Sequence, residues 1–219
     1  MLTLLWKDLL VELRTKETLS SFLLLGMLIL LVLSFAFDPA SEMRAAAAPG
    51  VLWVAVIFAG TLAINRSLLH ERENDCLQGL LLAPLDRGTI YLAKTAANVL
   101  FMLAAEVIVV PLFVIFFNLD MAATLLRLAP VLLLGTLGFA AIGTLFAAVS
   151  MRTRAREVML PLVMLPLATP LIIAAIQAST DLLAGRAMSE VAHYLNLLGA
   201  FDVVFLVVGW LTFEYAVEE

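Results

Sequence analysis

Apolar residues fill this chain in long blocks, and the polar residues between them fall in short segments. Six blocks stand out, at about 20–37, 45–65, 91–117, 125–149, 158–178 and 195–217. Each is long enough for a helix to cross a hydrocarbon core about 30 Å thick. The blocks do not alternate with period two, which argues against a β-barrel. The pattern therefore predicts an all-α polytopic membrane protein, with six transmembrane helices in a single domain over 1–219.

Ahead of the first block, Leu2, Leu5, Trp6, Leu9, Leu10 and Leu13 recur at helical spacing, with Lys7, Asp8, Glu12 and Arg14 between them. A short amphipathic helix over residues 1–19 fits one lying in the membrane interface; a soluble N-terminal turn is the other reading. This charged lead-in contains acids and no A-x-A-like site follows it, so the first block is expected to be a retained span and not a signal peptide. Asp38-Pro39 ends that span, because the residue before proline avoids the helical region. In the fourth block Ala140, Thr144 and Ala148 form a small-residue stripe of the kind that lets helices approach closely; ordinary alanine usage would give the same pattern. The fifth carries Pro161, Pro166 and Pro170. Each proline frees a carbonyl that lipid cannot satisfy, so this span is expected inside the bundle or at an interface. A loop holding at most a short helix is expected from Ser179 to Tyr194.

The longest polar interruption runs from Arg66 to Lys94, RSLLHERENDCLQGLLLAPLDRGTIYLAK, and holds His70 and the only cysteine, Cys76. Leu77, Leu80 and Leu81 sit at i, i+3 and i+4 after Glu71, Arg72, Glu73, Asn74 and Asp75. Ala83-Pro84 stops that helix, and Asp86 is placed to cap the next one. A short projecting helix, apolar on one side, is a docking element. A helix lying flat on the bilayer is the alternative, and its acidic lead-in would be repelled by anionic lipid.

Charge orients the chain. Lys7, Arg14, Lys16, Arg66, Arg72, Arg87, Lys94, Arg152, Arg154 and Arg156 fall on the side of the termini; Arg44, Arg127 and Arg186 fall on the other. The excess of Lys and Arg places both termini and the 66–90 segment in the cytoplasm.

The remaining composition mostly excludes functions. The chain is 63% hydrophobic with a net charge of -5, and its basic residues follow the loops without forming a nucleic-acid patch. One cysteine allows no internal disulfide and no cysteine-built metal site. His70 and His193 fall in opposite compartments, so they cannot share a metal. No G-x-x-x-x-G-K-[ST] is present, so this sequence is not expected to hydrolyse ATP. No intramembrane histidine or lysine is available to activate a Ser or Thr nucleophile. Glu106 and Asp202 are the acids expected within the hydrocarbon, Asp202 near the outer interface. A charge at depth costs at least about 2.5–3.5 kcal/mol, so such residues usually face the bundle interior or water. Each has two readings: a relay, ligand or partner contact, or a hydrogen-bonded packing residue.

An N-terminal interfacial helix, six spans and a cytoplasmic hairpin after the second resemble the membrane components of ABC-2-type exporters. More specifically, KDLLVELRTKET and HERENDCLQGLLLAPLDRGTIYLAK are similar to the corresponding stretches of the haem exporter protein B family, the permeases of cytochrome c maturation. The likeness includes L-L-L-x-P followed by a lysine at the start of span three, and is sharpest from Glu71 to Lys94. Cys76 departs from it, standing where a small residue such as glycine is expected.

The resemblance implies a non-catalytic permease in the bacterial cytoplasmic (inner) membrane. It implies a homodimer of this chain working with a separate ABC ATPase, a haem-handling membrane protein, a small single-span protein and a haem chaperone. Haem and ATP would be held by these partners, and no cofactor by this chain. Glu71, Arg72, Glu73, Asp75, Cys76, Leu77, Leu80 and Leu81 would form the ATPase-coupling helix. Arg152, Arg154 and Arg156 would either make a second ATPase contact or simply serve topology. No axial ligand pair for haem stands out, which favours a mechanical role. Two other functions compete. An ABC-2 permease could export a drug, lipid or polysaccharide, and a proton-coupled carrier could use Glu106 and need no ATPase. A membrane scaffold is the residual reading.

Overall fold

The computed structural model describes residues 1–38, 41–73, 86–150 and 156–217, with the backbone alone at 68–73, 156–160 and 217. The described residues form seven helices: α1 (Leu2–Thr15), α2 (Glu17–Ala36), α3 (Glu42–Glu73), α4 (Arg87–Phe117), α5 (Met121–Ser150), α6 (Arg156–Leu183) and α7 (Met188–Val217). All but α1 are long and apolar enough to cross a membrane. The protein is an all-α polytopic membrane protein.

α5 forms the centre of the bundle, packing against α3, α4, α6 and α7. Its most apolar stretch is 78% buried, against 17% for α7. Small residues make this possible. Ala140, Thr144 and Ala148 are buried as a stripe. Three glycines serve its other contacts. An added Cβ at Gly135 would lie 2.2 Å from the ring of Trp53 on α3, at Gly143 2.5 Å from Ile64 on α3, and at Gly138 2.3 Å from Leu171 on α6. Close helix approach in a membrane depends on such positions.

Of the two places expected for the proline-rich α6, the bundle interior and an interface, the first is not the one it takes. Met164, Ala168, Leu171, Ala174, Ala175, Ala178 and Leu182 form its buried face, while Pro166 and Pro170 are exposed on the face turned away from the chain. The small residues of α5 compete better for the centre than the bulky Leu and Pro of α6.

The expected loop from Ser179 to Tyr194 is also corrected. α6 continues to Leu183 and α7 starts at Met188. Gly185, at φ 87°, closes α6, with its N–H reaching Leu182 O and that of Arg186 reaching Asp181 O. This is a glycine C-cap, which lets a helix end in a short turn.

α1 packs on α4 and α2. Leu4 and Glu12 are buried, whereas Leu2, Trp6 and Leu13 are exposed. Its apolar face therefore points away from the protein. Fourteen residues span about 21 Å, too short to cross, so this outward apolar face fits the membrane interface and not a soluble turn. Lys16, at φ 55°, turns the chain into α2. The Glu12 carboxylate then accepts the Leu19 N–H at 2.7 Å, satisfying one free donor in the first turn of α2.

The basic end of the bundle gathers α1, the start of α4 and the ends of α5 and α7 around Leu4, Ile90, Tyr91, Ala93, Leu145, Ala148 and Phe213. At the opposite end, Arg44 donates to Phe116 O and lies over the Phe117 ring, Arg127 donates to Leu182 O, and Arg186 pairs with Asp181. The Arg44 and Arg127 side chains thus reach the C-terminal carbonyls of neighbouring helices, and Arg186 lies just past the end of α6, places where the dipole favours a cation.

Candidate functional site

The predicted docking segment begins as a helical extension of a span. α3 continues without a break from Glu42 to Glu73, about 48 Å, so it outreaches the hydrocarbon and carries Glu71, Arg72 and Glu73 on the same helix. Their side chains, and Asp75, Cys76, Leu77, Leu80 and Leu81 entirely, lie outside the described residues. The description resumes at Asp86. Its carboxylate accepts the Thr89 N–H at 3.1 Å and caps α4, as its position in the sequence suggested. Arg152 and Arg154 also lie outside the described residues, and Arg156 is the first residue of α6.

The first turns of α4 are held from several sides. Lys94 Nζ is 2.6 Å from Asp8 Oδ2 on α1, and both groups are largely buried. Lys7 pairs with the other oxygen of Asp8 at 3.1 Å. The buried Tyr91 hydroxyl reaches Ala141 O on α5 at 3.0 Å and Phe205 O on α7 at 3.2 Å. Arg87 lies 4.0 Å from Glu214 near the end of α7. Beside this junction Asp8, Glu12, Glu17 and Arg66 line a polar cavity of about 30 Å³. A water needs roughly 10–15 Å³ by this measure, so the cavity has room for about two.

Deeper in the bundle, polar groups pair across the α4–α5 seam. Thr136 donates to Glu106 Oε1 at 2.6 Å, and Asn98 donates to Thr144 Oγ1 at 2.9 Å. Across another seam, Trp53 of α3 donates to Ser179 of α6 at 2.9 Å. Glu106 and Asp202 are both buried, as expected of intramembrane acids. The structure does not bring them together: Glu106 faces Thr136, while Asp202 faces Gly138. Asp202 stands at the midpoint of α7, because that helix already begins at Met188. Among the described residues neither Asp202 oxygen has a hydrogen-bond partner.

Among the described residues the geometry resembles no catalytic constellation. It is a bundle whose polar contacts tie helices together, most densely at the start of α4, just after the 74–85 segment. A family model described as CcmB protein matches residues 1–219. The chain belongs to the CcmB family. Among similar proteins, heme exporter protein B of Rhodobacter capsulatus is 29% identical over 173 residues, 79% of each chain. Heme exporter protein B of Bradyrhizobium diazoefficiens is 28% identical over 184 residues, 83% of this chain and 80% of its own. That of Pseudomonas aeruginosa is 30% identical over 155 residues, 69% of each.

Sequence reasoning missed several residues that shape this CcmB-family site. In the sequence Tyr91 only marks the start of a span, Lys94 stands out as an orienting cation and as the lysine of the family resemblance, and Asp8 is one charge on an amphipathic helix; none of them signals its partner. The Lys94–Asp8 pair joins positions 86 residues apart, which no local pattern signals. A glycine next to an aromatic, as at Gly209-Trp210, was the available signal for a tight helix crossing.

Proposed function

We propose that this chain is the transmembrane permease of an ABC transporter complex serving c-type cytochrome biogenesis. A separate ATPase hydrolyses ATP, and this chain couples that hydrolysis to delivery of haem and release of the haem chaperone. The observation that carries the reading is the whole-length CcmB match, with relatives named heme exporter protein B. The unbroken α3 and the Asp86-capped α4 support it, because α3 runs from a span into the 66–90 segment as one helix and α4 leads out of that segment into the next span.

On this reading the termini and the 66–90 segment are cytoplasmic, and Glu71–Leu82 seats on the ATPase. Arg152, Arg154 and Arg156 lie on the same face. Two copies of the chain pair with two copies of the ATPase and associate with the haem-handling membrane protein, the small single-span protein and the haem chaperone. The chain holds no cofactor itself and acts mechanically.

Expression in a bacterium deleted for its own heme exporter protein B tests the reading. It should restore c-type cytochromes, and the chain should co-purify with an ATPase. Failure to restore them alongside a normally inserted protein would remove the haem assignment. Cys76 supplies the test of docking. An impermeant maleimide should label it only from the cytoplasmic face, and bound ATPase should protect it. Labelling from outside would overturn the orientation, and unchanged labelling with ATPase bound would overturn the docking.

A further inference from the structure

The start of α4 is interlocked with α7. The Tyr91 ring stands where a side chain at Gly209 would be: an added Cβ there would lie 2.2 Å from Tyr91 Cζ. The fit is reciprocal. The Trp210 indole stands over Gly88, where an added Cβ would lie 2.1 Å from its Cδ1. Each helix therefore offers one notch and one aromatic knob. The Tyr91 hydroxyl adds contacts to Phe205 O on α7 and Ala141 O on α5. Its ring also packs against Phe213 at 5.6 Å. On the next turn Lys94 ties α4 to α1 through Asp8 at 2.6 Å.

These contacts fall within eight residues of Asp86, where α4 follows the 74–85 segment. α4 cannot slide along α7 without lifting Tyr91 out of the Gly209 notch, and cannot part from α1 without separating two largely buried charges. Close-packed interfaces of this kind switch between discrete arrangements and do not deform continuously.

We propose that Tyr91 and Lys94 are positioning residues for energy coupling. They bind the re-entry point of the docking segment to α1, α5 and α7, so that its displacement moves these four helices as one block. The proposal rests on the functional reading in which an ATPase docks at this segment.

The test uses the purified permease–ATPase complex in nanodiscs, together with c-type cytochrome yield in the complemented deletion strain. Gly209→Ala, which forces Tyr91 out of its notch, and Tyr91→Ala should leave the ATPase bound and its turnover within about twofold of wild type, while cytochrome yield falls about tenfold. Tyr91→Phe keeps the ring and loses the hydroxyl, so its yield should fall only about two- to threefold. Unchanged cytochrome yield in both Gly209→Ala and Tyr91→Ala would overturn the proposal.

A second arm does not depend on those variants folding. In a Cys76→Ser background, Asp8→Cys and Lys94→Cys are joined with a short cleavable bismaleimide. A pair that moves as one block should keep ATP turnover within about twofold when linked. A loss of about tenfold, reversed by cleaving the linker, would overturn the proposal. A wild-type preparation that binds no ATPase would overturn the underlying functional reading as well. Normal ATPase binding with the wrong outcome in the variants would overturn this inference alone.

Discussion

The indole of Trp53 fills the space that a side chain at Gly135 would occupy. An added Cβ would lie 2.2 Å from Cη2 of that ring. The same indole donates from Nε1 to Ser179 Oγ at 2.9 Å. One buried side chain thus sets the distance between α3 and α5 and the orientation of α6 against α3. Gly135→Ala should push the ring away and cost about 1–3 kcal/mol by overpacking. Trp53→Phe removes the atoms that clash, so it should restore much of the stability lost by Gly135→Ala while being destabilising alone. Thermal unfolding of the detergent-purified single and double variants checks this. Additive losses would show that the two residues do not share the space.

The Lys94–Asp8 pair should behave as a coupled unit. Side-chain exposures of 4% and 10% leave it little screened by solvent. Exposed pairs are worth roughly 0–1 kcal/mol, so a larger coupling is the signature of burial. A double-mutant cycle on Asp8→Ala and Lys94→Ala should give a coupling energy of about 1–3 kcal/mol. It should change little with salt, unlike that of a surface pair. The reversed pair Asp8→Lys with Lys94→Asp should recover less than the double alanine variant, because Lys7 would then face a second lysine.

Much of this fold was legible in hydropathy because each span must satisfy its backbone within itself. Runs of apolar residues therefore mark helices whatever their neighbours. The Ala140, Thr144 and Ala148 stripe and the Asp86 cap were legible for the same reason, as local rules. The place of each helix in the bundle was not. The prolines of α6 left its place open between the bundle interior and an interface; the interior goes to α5, because position depends on which helix offers the smaller surface, and Gly135, Gly138 and Gly143 give that to α5. The end of α6 was hidden because Gln177, Ser179, Thr180 and Asp181 look like loop residues. Ser179 and Thr180 instead donate back to Ala175 O and Ile176 O inside the helix. The junction at Asp8, Tyr91 and Lys94 is a tertiary arrangement with no periodic signature.

Asp202 should limit stability. Both of its oxygens are buried without a partner among the described residues, and Oδ1 would lie 2.4 Å from a Cβ added at Gly138. An unsatisfied buried polar group costs about 1–3 kcal/mol. Asp202→Ala should therefore raise the unfolding temperature, provided the small cavity costs less than the carboxyl group. Gly138→Ala should lower it, and should be better tolerated in the Asp202→Ala background. If Asp202→Ala instead lowers stability, the carboxyl group makes a net favourable interaction within the bundle and Asp202 does not limit stability.

Glu106 gives the sharpest separation between a mechanical permease and a proton-coupled carrier. Its Oε1 accepts from Thr136 Oγ1 at 2.6 Å across the central α4–α5 seam. Glutamine keeps a carbonyl acceptor at that place and cannot exchange a proton at neutral pH. Glu106→Gln should therefore hold the seam, and c-type cytochrome yield should stay within about twofold of wild type. Glu106→Leu removes the acceptor. Interhelical side-chain hydrogen bonds in membranes average about 0.6 kcal/mol and reach about 1.7 kcal/mol, so Glu106→Leu should cost no more than that in unfolding free energy. Thr136→Val should cost a similar amount, and the double variant Glu106→Leu with Thr136→Val little more, since one bond is lost in each. Loss of cytochrome maturation in Glu106→Gln at normal stability and normal ATPase binding would contradict a packing role and point to proton exchange at this carboxyl group.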